Sequence, residues 1–208
     1  MVLHSKKLLA IILIVTVVAG PLFVAVDRLM GENGDTSAVW PPLPLRPPLA
    51  HLVVENDTGA HIQEGVMIHY DWTVKGELER YTVDLPWPMP ESIAALQRGS
   101  FLLRLGATAP PVDVKISRVS ETGLGTELPS VLYSCQNILL ASGTHNPCDL
   151  TFNRDEGVQG WEVIVPLPLA TGKHFLLASV IWAGFPTRDD LEAGGQSGAN
   201  WLFSIEKS

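Results

Sequence analysis

Gly65-Val66-Met67-Ile68-His69-Tyr70-Asp71-Trp72-Thr73-Val74 is the stretch that decides the fold. Its residues Val66, Ile68, Tyr70, Trp72 and Val74 alternate with Met67, His69, Asp71 and Thr73. A period of two is what a strand produces when successive side chains point to opposite faces of a sheet. A helix would place its apolar residues three and four apart instead. The stretch therefore predicts a half-buried strand, with Trp72 facing a core and His69 and Asp71 facing water.

The same period recurs on both sides of it. Tyr81, Val83 and Leu85 repeat it, as do Phe101, Leu103 and Leu105. Val112, Val114 and Ile116 alternate with Asp113, Lys115 and Ser117. Trp161, Val163, Val165 and Leu167 follow, and Trp201, Phe203 and Ile205 end the series. His174 to Trp182 is apolar on both parities, which predicts a central strand covered on both faces. With Gly and Pro between the runs, about eight to ten short strands predict an all-β, antiparallel β-sandwich, immunoglobulin-like or jelly-roll-like. One short helix is predicted near Glu91–Arg98, closed by Gly99. Trp72, Trp161 and Trp201 fall on inward parities, whereas Trp40 and Trp87 sit beside prolines and are expected at the surface.

Upstream of the strands the chain changes character. Lys6 and Lys7 precede Leu8–Val26, nineteen residues without a charge. At about 1.5 Å per helical residue this run spans roughly 28 Å, close to the hydrocarbon thickness of a bilayer. The positive-inside rule leaves residues 1–7 in the cytoplasm and sends the C-terminal part across. Residues 8–26 then form a single-pass signal-anchor in the lipid bilayer of the cell membrane. The alternative is a cleaved signal and a secreted protein. Secretory apolar regions are usually about 7–15 residues long and end in a small-x-small step. Here the run is longer, Val24-Ala25-Val26-Asp27 lacks that step, and Val18-Ala19-Gly20 is followed by Pro21. Residues 27–48 read as a spacer, polar and glycine-containing over Gly31–Ser37 and proline-rich over Trp40–Pro48. The sandwich domain is assigned to 49–208.

The first 26 of the 208 residues contain two basic and no acidic side chains, so the remaining 182 carry 12 basic against 22 acidic, net −10. That balance argues against nucleic acid, whose binding needs clustered Lys and Arg to release counterions. It leaves cationic ligands, metal ions and basic peptides open. Cys135 and Cys148, the only cysteines, lie thirteen positions apart in the exported part. In an oxidising compartment an even pair at this spacing predicts a disulfide. Closing a loop of about 14 residues is worth roughly 3 kcal/mol in the chain-entropy model. A metal site using Cys135, His145 and Cys148 lacks a fourth ligand, and no metal is assigned.

Three stretches carry a resemblance. Pro47-Pro48-Leu49 leads into a strand and then Gly65-x-x-x-x-Tyr70-x-Trp72. Gly99-Ser100-Phe101-Leu102-Leu103 begins a middle strand ahead of Pro110-Pro111-Val112-Asp113-Val114. The end runs Val165-Pro166-Leu167-Pro168, Gly172-Lys173-His174-Phe175, Ile181-Trp182, a glycine-rich loop, and Trp201-Leu202-Phe203-Ser204-Ile205. The chain is similar over most of residues 47–206 to uncharacterised bacterial secreted or membrane-anchored β-sandwich proteins. Those carry a G-x-Y-x-W strand early and a final hairpin of the form W…G…Y-x-F-x-V. This chain departs from them by Trp201 in place of tyrosine and by a longer final loop. The resemblance implies a fold and an envelope location, and brings no activity with it.

Chemistry is sparse. Gly195-Gln196-Ser197-Gly198 fails the spacing of a nucleophile elbow. His69 and Asp71 share the outward face of one strand, about 7 Å apart along it, and form a candidate surface polar pair. The six histidines show no H-x-x-x-H spacing. Asn153-Arg154-Asp155-Glu156-Gly157 reads as a turn. Asp189, Asp190 and Glu192 lie in Phe185–Ala199, the longest loop before the last strand, and form a candidate ligand loop. Calcium takes about six to eight oxygens, and three carboxylates could supply some of them. No EF-hand pattern supports it, so no cofactor is assigned. Binding surfaces are expected on Phe185–Ala199 and on Gln136–Pro147, since loops on a rigid scaffold usually carry them. The chain is thus expected to be a membrane-tethered, non-catalytic extracytoplasmic binding or accessory domain with an envelope protein as partner. The alternatives are a structural cell-envelope protein and a carboxylate-dependent hydrolase.

Overall fold

The computed structural model describes residues 43–56, 59–74, 77–95, 100–122, 124, 127–136, 148–155, 160–166, 169–182 and 197–207. Residues 8–26, most of the spacer, the Gln136–Pro147 loop beyond Gln136, and Asp189, Asp190 and Glu192 lie outside them. Among the described residues no helix is long and apolar enough to cross a membrane.

Alternation yields two sheets. In one, β1 (Ala50–Asn56), β2 (Gly59–Glu64), β6 (Ser100–Leu105), β9 (Thr151–Asp155) and β10 (Gly160–Pro166) take the order β2-β1-β6-β10-β9. In the other, β3 (Val66–Val74), β4 (Glu77–Thr82), β7 (Pro111–Val119), β8 (Ser130–Cys135), β11 (Gly172–Trp182) and β12 (Ser197–Lys207) take the order β4-β3-β12-β11-β7-β8. A seventh strand, β5 (Ile93–Ala95), pairs in parallel with the end of β12 through Ile205↔Ile93. All other pairings are antiparallel, and the two sheets pack face to face as a sandwich.

The core between them is built in cross-strand rows. Leu52, Leu103, Val163 and Phe152 form one row of the five-stranded sheet. Met67, Trp201, Ala178, Ile116 and Tyr133 form one of the other. Trp72, Trp182 and Trp201 stand edge to face at its centre, with ring centroids 5.5 and 5.9 Å apart. Each fully buried large side chain contributes about 1.5–3 kcal/mol by leaving water. Trp72 also donates its Nε1–H to the Pro44 carbonyl at 3.0 Å, and Leu43 is buried in the same core. Leu43 and Pro48, placed in the spacer by composition, are therefore packed here.

Gly65 explains how the chain passes from one sheet to the other in a single residue between β2 and β3. A Cβ there would meet the Phe203 ring at 2.6 Å and the Trp201 Cβ at 2.8 Å. Its amide donates to the Ala50 carbonyl at 2.8 Å.

Several expectations need correction, two of them in extent: Asn153–Asp155 of the turn read at Asn153–Gly157 belong to β9, and Ser197–Ala199 of the loop read at Phe185–Ala199 belong to β12. Strict alternation in β3 is broken by a bulge: Asn200 pairs with His69 but Trp201 pairs with Met67, leaving Ile68 extra. A bulge turns two successive residues to one side. Val66 and Ile68 consequently leave the face of Trp72 and join a second cluster with Val119, Leu124, Phe175, Leu177 and Leu202. Trp87 packs against this cluster, so its prolines do not hold it at the surface. Ile93–Ala95 of the predicted helix forms β5, because a place beside β12 offers backbone partners. β4 ends at Thr82, so Val83 and Leu85 lie beyond it. The double-sided burial predicted for His174–Trp182 holds only over Phe175–Ala178: Leu176, Ala178, Val180 and Trp182 face the first core and Phe175 and Leu177 the second, whereas Ser179 and Ile181 on the outer face are half-exposed.

Candidate functional site

The second cluster covers one half of the outer face of the seven-stranded sheet. The other half is polar. Register places Thr82, His69, Asn200, Ser179, Lys115 and Ser134 in one row across six strands. At about 4.8 Å per strand the row is roughly 24 Å long. Its middle is held in place because alternate residues of β3, β12, β11 and β7 are core.

His69 and Asp71, the pair singled out in the sequence, lie at its β3 end. His69 Nε2 is 3.8 Å from Asp71 Oδ2, with side chains 33% and 38% exposed. Neither is a lone polar group. The His69 Nδ1 is 2.8 Å from Thr82 Oγ1. Arg80 donates from Nε to Asp71 Oδ1 at 2.6 Å, and its terminal nitrogen approaches Oδ2 at 3.5 Å. The Arg80 hydrogen bond holds the Asp71 carboxyl below the usual carboxylate range, more than partial burial raises it. A carboxylate so engaged is a poor proton acceptor. Its geometry makes a fixed surface charge pair.

Arg80 and Thr82 did not stand out in the sequence, yet a signal for them existed. Only two positions separate β3 from β4, and Val74 stands opposite Glu77, hence Asp71 opposite Arg80 and His69 opposite Thr82.

Cys135 and Cys148 are joined, with Cα atoms 5.4 Å apart, as the spacing predicted. The bridge ties the end of β8, an edge of one sheet, to the segment entering β9, an edge of the other. The apolar rims of both sheets are thereby held together at that side. Deeper in, the Nε1–H groups of Trp182 and Trp201 and the Ser197 hydroxyl are buried without hydrogen-bond partners among the described residues. Trp182 and Ser197 face each other across β11 and β12, and the residues between them in sequence, Asp189, Asp190 and Glu192 included, lie outside the described residues. No group of three or more His, Cys, Asp or Glu gathers as a metal site among the described residues.

Two open grooves flank the sheet. One, of about 310 Å³, lies at the far end of β7 and β11 and is lined by Arg118, Glu121, Glu127, Lys173 and His174 among others. The second, of about 430 Å³, is lined by Leu45, Arg46, Val74, Glu77 and Glu79. Comparison with protein-family models, with curated proteins and with solved structures returns no match.

Proposed function

We propose that the chain is a non-catalytic binding domain held on the outer side of a membrane by residues 8–26. The observation that carries the binding role is the polar row from Thr82 to Ser134, exposed at Thr82, Lys115 and Ser134 and half-buried at His69, Asn200 and Ser179, laid across six strands over the core. Such a face holds donors and acceptors in fixed positions, so a partner meets little ordering cost on the domain's side. The uncharged run behind Lys6 and Lys7 supports the tether, and the Cys135–Cys148 bridge supports an oxidising compartment. Hairpins that stay within one sheet, such as β3–β4 and β11–β12, favour the immunoglobulin-like over the jelly-roll-like form of sandwich. The resemblance to membrane-anchored bacterial sandwich proteins is in keeping with a partner in the cell envelope.

Purifying the tagged full-length chain from its own membranes tests this. A stoichiometric partner that copurifies and raises the melting temperature is expected, because a ligand of the native state must stabilise it. Turnover of a substrate, lost on a single side-chain change, would refute it.

A further inference from the structure

Four strands end the two sheets, and they are not alike. β8 is interrupted, with Leu132 bulged between residues that pair with Ile116 and Ser117. β2 lies beside β5, and its Gln63 side chain bonds the Glu91 carbonyl and the Ser204 amide. β9 carries Arg154, which has no ion-pair partner among the described residues, whereas the one cation of β4, Arg80, is paired with Asp71. β4 is different. All six of its residues pair with β3 in unbroken register, and all six are exposed. It ends the sheet, so its outward backbone N–H and C=O groups face no strand among the described residues.

The charge along this edge selects an occupant. Glu77 and Glu79 point to one side of β4 and both line the 430 Å³ groove. Neither has an ion-pair partner among the described residues, whereas Arg80, on the opposite side, is taken up by Asp71. Arg46 is the one cation lining that groove. A second copy of β4 fits poorly. Two-fold antiparallel pairing about the strand centre sets Glu79 against its own counterpart or Arg80 against its own, and like charges directly opposed are destabilising.

We propose that the β4 edge accepts an extended cationic peptide segment as an added strand. This rests on the binding-domain reading and names the chemistry of a partner. Backbone hydrogen bonds to β4 supply the pairing. Lysine or arginine at alternate positions lies over Glu77 and Glu79, and the apolar residue between them packs on exposed Leu78. The segment's own alternation, basic then apolar, is what the pleat of β4 reads.

The test uses the full-length chain in detergent and a fluorescein-labelled octapeptide of alternating lysine and valine. Saturable, salt-sensitive binding is expected, with slowed hydrogen exchange at the amides of Leu78–Thr82. The isosteric double variant Glu77→Gln/Glu79→Gln should bind about tenfold more weakly, since two exposed pairs are removed. An octapeptide of alternating glutamate and valine should not compete. Equal affinity for the double variant would overturn the proposal, as would equal binding of the acidic octapeptide. Protection confined to the His69–Lys115 face, or no saturable binding while a partner still copurifies, would overturn it and leave the binding-domain reading intact. Hydrolysis of the octapeptide would overturn that reading itself.

Discussion

Gly65 and Asp71 show how much a single residue can decide here. At Gly65 the chain changes sheets where the Phe203 ring and Trp201 leave no room for a Cβ. Gly65→Ala is expected to cost about 1–3 kcal/mol as those buried rings are displaced, read as a lower denaturation midpoint with an unchanged slope. Gly59, with φ of 126° and open space around it, would instead suffer from backbone conformation alone on the same change. Asp71 is held ionised by Arg80, so its folded carboxyl titrates below its unfolded value of about 3.9. Its contribution is present above that value and fades as pH falls through the lower folded one. The stability difference between the wild type and Asp71→Asn should therefore shrink on acidification below about pH 4, a trend that pH-dependent urea titration measures. Because Asp71 is 38% exposed, salt should diminish the difference as well.

Elements are where sequence and structure agreed most and parted most instructively. The two-residue period located β3, β6, β7, β10 and β12, because burial on one face imposes it directly, and a run apolar on both parities located β11. The bulge at Ile68 was not legible: the sequence of β3 alternates perfectly, and only pairing with β12 makes one residue extra. The parity of Val66 and Ile68 follows from that partner and from no local signal. β5 was misread for a related reason, since three residues beside β12 take their conformation from the neighbour. The polar pair His69–Asp71 was legible as two outward residues, while its partners needed the hairpin register. Replacing Ile68 by Ala tests the bulge. If Ile68 belongs to the second cluster with Leu202 and Phe175, the change should cost about 2–5 kcal/mol. A Trp87→Ala change should then couple to it in a double-mutant cycle. The Cys135–Cys148 bridge belongs to this scale too. Reducing it should lower stability by about 3 kcal/mol, seen as a shift of the unfolding midpoint on adding reductant.

At the scale of the whole molecule, the parts divide their work. On the proposed reading an apolar run gives an address, a sandwich stapled between its two sheets gives a rigid body, and a half-face and the β4 edge are left for partners. On that same reading an acidic domain of this kind binds without rearranging, and its charge is the reason cationic partners are proposed over nucleic acid. All of this depends on the domain standing outside the membrane while the chain stays in it. The direct measurement is protease treatment of spheroplasts expressing the full chain with an epitope tag after Ser208. The account predicts that external protease removes the tag without detergent, while an untreated sample keeps the intact chain in the membrane pellet. A tag that survives until detergent is added, or a chain recovered only in the soluble fraction, would contradict it.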